Sequence, residues 1–178
     1  NYEMWTDNLD YLFTGDLSSA EQAADVMGRL GNLALVELGL SKSISSISAT
    51  LNNSQIKYYV KLATKNKESD TCVLGTTGKY NVYASDNNYT YFILDESKWS
   101  DLVKSLNNNY NEIWKINKQY IDNQIKLNKT IILTDNPELQ YLFGDGSKRF
   151  YQREIDYLSE LGYTFSQVDD ELWKAILE

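Results

Sequence analysis

The sequence predicts an α/β protein with a helical N-terminal segment, on three observations. Small and apolar residues recur at helical intervals from residue 18 to about 67, and from residue 71 onward apolar runs of strand length alternate with helical stretches. In addition, 42% of the 178 residues are hydrophobic, enough to bury a core without disulfide or metal support. The change of periodicity near residue 70 divides the chain into a helical segment, 1–68, and an α/β domain, 69–178.

In "SSAEQAADVMGRLGNLALVEL", Ser18 and Glu21 stand in capping-box spacing, which predicts a packed helix over 18–39 closed by Gly39 and Ser41. "SKSISSISATLNNSQIKYYVKLATKNK" predicts a second, more polar helical segment ending near Lys67. Thereafter "TCVLG" reads as a strand, "KYNVYAS" as a short helix and "YTYFILD" as a strand. "SKWSDLVKSL" and "NEIWKINKQYIDNQIKL" read as helices and "KTIILTD" as a strand. "KRFYQREIDYLSELG" reads as a helix that Gly162 stops, and "YTFSQV" as the last strand. Strands separated by helices pair in parallel, because the crossover returns the chain to the same edge. The expected unit is small, three-layered and largely parallel, a Rossmann-like arrangement with the N-terminal helices packed on it.

In open α/β sheets a ligand binds beyond the carboxyl ends of the strands. "GTTGKY" after the first strand, "DESKW" after the second and "TDNPEL" after the third should therefore share one rim. Thr76 and Thr77 offer hydroxyls there, Gly75 and Gly78 permit close backbone approach, and Lys79 and Tyr80 follow where a helix N-terminus would receive a phosphate. The spacing matches neither G-x-G-x-x-G nor a P-loop, so an ordinary strand-to-helix turn is the simpler reading of the pattern alone.

Arg149 and Arg153 lie four apart on one helix face that could bind an anion, with Asp145 and Asp156 in reach as ordinary partners. Glu154, beside the apolar stripe of Phe150, Ile155, Leu158 and Leu161, is the best general acid or base, because partial burial raises a carboxyl pKa toward working pH. On the long helix Trp114, Ile121 and Ile125 read as a core stripe and Asn117, on another face, as a polar contact for a ligand. The expected catalytic set is Glu154, Lys79 and Arg149, and the expected substrate-binding set is Thr76, Thr77, Gly78, Tyr80, Asn117 and Arg153.

The chain has no histidine and one cysteine, so the usual zinc sites and every Ser-His-Asp or Cys-His mechanism are excluded. The cofactor stays unassigned, and a divalent metal held by carboxylates stays open. Cys72, inside an apolar run, reads as a buried, inert thiol. No apolar stretch is long enough to span a bilayer. Charge is uneven: residues 1–56 carry −5, residues 57–130 carry +3 and residues 131–178 carry −6, together the net −8. A pI near 4.6 argues against broad nucleic-acid binding, yet lysines interleaved with aromatic residues in the middle third leave room for a local Lys-rich groove.

The succession "VLGTTGKYNVYA", "YTYFILDESKW", "NEIWKINKQYIDNQI", "KTIILTDNP" and "RFYQREIDYLSELGYTF" resembles the C-terminal toxin domains of bacterial polymorphic toxins, of the Rhs and contact-dependent growth inhibition types. The resemblance covers roughly residues 71–168. It implies an effector that is delivered as part of a larger surface protein, acts in the target-cell cytoplasm and is neutralised by a cognate immunity protein. It also implies a hydrolase, with RNA as the first expected substrate and NAD as the second, the latter by glycohydrolysis or ADP-ribosyl transfer. The acidic composition departs from the usual basic toxin nuclease, and it would also suit an immunity protein.

Overall fold

The structure, a computed structural model, describes residues 50 to 177, so the helix expected over 18–39 and the second segment before residue 50 lie outside the described residues. Asn52 opens helix α1 (Asn53–Ala63) with a reciprocal capping box: its side chain accepts from the Gln55 amide at 2.9 Å, and the Gln55 side chain accepts from the Asn52 amide at 3.0 Å. The helix buries Ile56, Val60 and Ala63, then passes at once into a two-residue strand, β1 (Thr64–Lys65).

Strand β2 (Thr71–Leu74) leads into helix α2 (Tyr80–Asp86), and the short strand β3 (Tyr91–Phe92) pairs antiparallel with β1. Helices α3 (Glu96–Ser105) and α4 (Tyr110–Lys126) follow, the latter capped by the Asn109 side chain. After strand β4 (Thr130–Leu133) comes a long connection, then helix α5 (Phe150–Glu160). Gly162, at φ +87°, turns the chain out of α5, and strands β5 (Tyr163–Asp169) and β6 (Leu172–Leu177) complete the order.

The α/β class read from the sequence holds. The main sheet has the order β2-β4-β6-β5, with β2 and β4 parallel and β6 antiparallel to both of its neighbours. Parallel pairing thus belongs to the β2–β4 half, where helices make the crossover, together with a parallel bridge between Cys72 and Thr90. The other half is mixed in because β5 turns tightly at Asp170 and Glu171 and β6 returns between β4 and β5, a hairpin that can only be antiparallel. "LWKAIL", which forms β6, is a strand that the sequence pattern did not show.

One face of the sheet carries the core. Cys72 and Leu74 of β2, Ile131 and Leu133 of β4 and Ala175 of β6 cluster with α1, α3, α4 and α5 through residues such as Val60, Leu102, Ile116, Tyr120 and Leu158. Helix α1, which the change of periodicity grouped with the residues before 68, is part of this core through Ile56 and Val60. On the opposite face of β2, Val73 is fully buried against the α2 side, where Ala84 is fully buried as well. Beyond α2, among the described residues, Ile176 on that face is exposed.

Candidate active site

Beyond the carboxyl end of β2 lies a cavity of about 530 Å³. The parallel pairing of β2 with β4 brings "GTTGKY" and "TDNPEL" to this end, and β3 brings "DESKW" beside them. Phe92, Trp99 and Phe150 supply aromatic wall, and Leu74, Leu94 and Ile113 supply aliphatic wall. Two of its polar side chains are buried. Asn117 of α4 and Glu154 of α5 are both buried, at 7% exposure each, and Asn117 Nδ2 donates to Glu154 Oε1 at 2.7 Å. Among the described residues Glu154 Oε2 and Asn117 Oδ1 have no partner.

Burial with a single amide for company pushes the Glu154 carboxyl up to about 8, against the smaller opposing effect of the Asn117 hydrogen bond. The reason is desolvation: among the described residues no Lys or Arg lines the cavity to offset a buried negative charge. The remaining ionisable groups at the wall are Asp95 and Glu96, which are exposed, and Tyr80, whose hydroxyl donates to the Phe92 carbonyl and is held protonated by burial. The cavity therefore favours a flat, uncharged or cationic ligand that brings hydrogen-bond donors.

The "GTT" turn is held from the end of β4. Asp135 Oδ2 accepts from the Thr76 amide at 2.8 Å, and the Thr76 hydroxyl reaches both carboxylate oxygens at 3.1 Å. The Thr134 hydroxyl lies 3.2 Å from the same Oδ2. Gly75 passes so close that a Cβ there would run into Thr134 Oγ1 and lie 2.8 Å from Asp135 Oδ2. The Tyr151 hydroxyl donates to the Asp135 carbonyl at 2.5 Å, tying α5 to the same loop.

Of the expected catalytic residues only Glu154 lies on this cavity. Lys79 is exposed and faces Glu171 at 3.6 Å. Arg149 precedes α5, donates from Nε to the Leu142 carbonyl at 3.1 Å and stands over the Phe143 ring. Of the expected binding residues, Thr77, Tyr80 and Asn117 line the cavity. Thr76 is committed to Asp135, Gly78 donates its amide to the Asn81 side chain, and Arg153 donates to Asn111 Oδ1 at 3.1 Å. Trp114 packs beside Phe150 and Tyr157, in the core role its spacing predicts.

Sequence reasoning missed Asp135 and the aromatic walls Phe92, Trp99 and Phe150. A signal for Asp135 was present, since it begins the polar turn after an apolar strand, at the same rim position as the "GTT" turn. Among the described residues no group of three or more Asp, Glu or Cys side chains is placed to hold a metal ion. No helix of the described residues is long and apolar enough to cross a membrane. Compared with family models, curated proteins and solved structures, the chain matches none of them.

Proposed function

We propose that this chain is the effector domain of a toxin used in competition between bacteria, and that its cavity cleaves NAD between nicotinamide and ribose. The toxin role rests on the motif resemblance over residues 71–168. The choice of NAD over RNA rests on one observation: a largely apolar cavity holds Glu154 and Asn117, while Lys79, Arg149 and Arg153 stand outside its lining. An RNA-cleaving site needs cations on the phosphate, and those are the groups the cavity lacks. A nicotinamide ring is flat and cationic, which suits aromatic faces beside carboxylates. Its carboxamide N–H groups would satisfy the unpartnered oxygens of Glu154 and Asn117.

The chemistry follows from charge. The glycosidic C–N bond breaks with its electron pair moving to the pyridinium nitrogen, which neutralises the ring and leaves positive charge on the ribosyl carbon. The pyridinium favours the carboxylate form of Glu154 on binding, and that carboxylate then stabilises the ribosyl cation. Water adds to the anomeric carbon and gives its proton to Glu154. Transfer to an acceptor nucleophile in place of water would make the same site an ADP-ribosyl transferase.

The domain is delivered from the producing cell within a larger protein and acts in the target-cell cytoplasm. A cognate immunity protein would neutralise it most directly by covering the cavity mouth. The test is induction of the chain in bacteria lacking that partner, with NAD level and RNA integrity followed together from the first minutes. Falling NAD with intact RNA supports the proposal. RNA cleavage with NAD unchanged would establish the nuclease reading instead, and harmless expression would favour an immunity protein.

A further inference from the structure

A second cavity, of about 400 Å³, lies at the opposite end of the main sheet. Lys67 precedes β2 and Lys129 immediately precedes β4, so the parallel pairing of these strands brings both lysines to the amino-terminal end. Lys57 and Lys61 come from one face of α1, four residues apart. Among the described residues none of these four lysines is within 4.0 Å of a carboxylate, and Glu68 and Asp70, the carboxylates that act on Lys129 from nearby, do not line the cavity. Lys129 is anchored by its Nζ, which donates to the Lys67 carbonyl at 2.6 Å and the Thr90 hydroxyl at 2.9 Å. Gln124 also lines this cavity. It is 3% exposed, its Nε2 donates to the Tyr120 carbonyl at 3.1 Å, and its Oε1 has no partner among the described residues.

We infer that this cavity binds a nucleoside di- or triphosphate, separately from the cavity that holds Glu154. Like charges four apart on a helix repel, and a polyphosphate brings the opposite charge that relieves them. The volume suits one small molecule, and the acidic protein around it disfavours a long polyanion. The lysines account for the phosphates. The unpartnered Gln124 oxygen accounts for the nucleoside, since it needs an N–H or O–H donor that a phosphate chain cannot give.

Calorimetric titration of the full chain with ATP, inorganic tripolyphosphate and adenosine tests this assignment. ATP and tripolyphosphate should each bind one to one, ATP the more tightly, with adenosine alone undetected and nicotinamide no competitor. Lys57→Glu and Lys61→Glu, both at exposed positions, should each weaken the two anions roughly tenfold or more. Absence of saturable binding, or binding unchanged by both charge reversals, would overturn the site. Equal affinity for ATP and tripolyphosphate would overturn the nucleoside contact at Gln124, and single-stranded RNA binding far more tightly than ATP would overturn the small-anion assignment.

Discussion

Asn117 is the only hydrogen-bond partner of Glu154 among the described residues, and it occupies one carboxyl oxygen while the other is buried without a partner. The pair joins α4 to α5 across a largely apolar wall, so it fixes the carboxyl in place while leaving it costly to ionise.

Glu154→Gln keeps the shape and removes the titratable group. Activity should fall roughly 10²–10⁴-fold, the loss typical of a general acid or base. Stability should rise at pH 8, because a buried carboxyl raised to about 8 disfavours the folded state once it must ionise. The folded protein holds this proton more tightly than the unfolded chain, so wild-type stability should decline between about pH 4.5 and 8 by on the order of a few kcal/mol. Denaturant melts of both proteins across that range check the slope, which the Gln variant should have lost.

For the proposed NAD cleavage, the pH profile of kcat/KM should rise toward an inflection near 8, since that chemistry requires the free protein to release the Glu154 proton. Asn117→Ala removes the one interaction that lowers the carboxyl pKa and should move the inflection to higher pH. An unmoved inflection would assign the limb to another group.

Asp135→Ala should loosen the "GTT" turn by leaving the Thr76 amide and hydroxyl without their acceptor. The expected result is a raised KM with the larger part of kcat kept, while Asp135→Asn, which retains an acceptor oxygen, recovers much of the loss. Gly75→Ala should be worse for stability, by about 1–3 kcal/mol, since its methyl would collide with Thr134 and Asp135.

Lys79→Ala and Arg149→Ala should each leave activity within severalfold of wild type, because both side chains make surface contacts away from the cavity. Loss of activity on the scale of Glu154→Gln in either variant would restore phosphate stabilisation as the chemistry.

Much of this site is legible in the sequence where one residue carries the signal. Glu154 stands out as a carboxyl beside an apolar helical stripe, and Asn117 as a polar residue on a helix whose other face is Trp114, Ile121 and Ile125. That the two meet is not legible, because the hydrogen bond spans 37 residues and depends on how α4 and α5 pack. Lys79, Arg149 and Arg153 read as anion ligands from charge and spacing, and in the structure they contact Glu171, the Leu142 carbonyl and Asn111 and stand outside the lining of the cavity. The strand "LWKAIL" escaped for a related reason. It is half-exposed and lies between two strands distant in sequence and close in sequence respectively, β4 and β5, so its partners define it more than its pattern does.

The central claim is that Glu154 serves NAD cleavage in the cavity beyond β2, and the most direct measurement is nicotinamide release from NAD by the purified chain, beside its Glu154→Gln variant. The account predicts release by the wild-type protein and a roughly 10²–10⁴-fold slower rate for the variant. Wild-type protein that leaves NAD intact while cleaving purified RNA, or a variant that releases nicotinamide as fast as wild type, would contradict it.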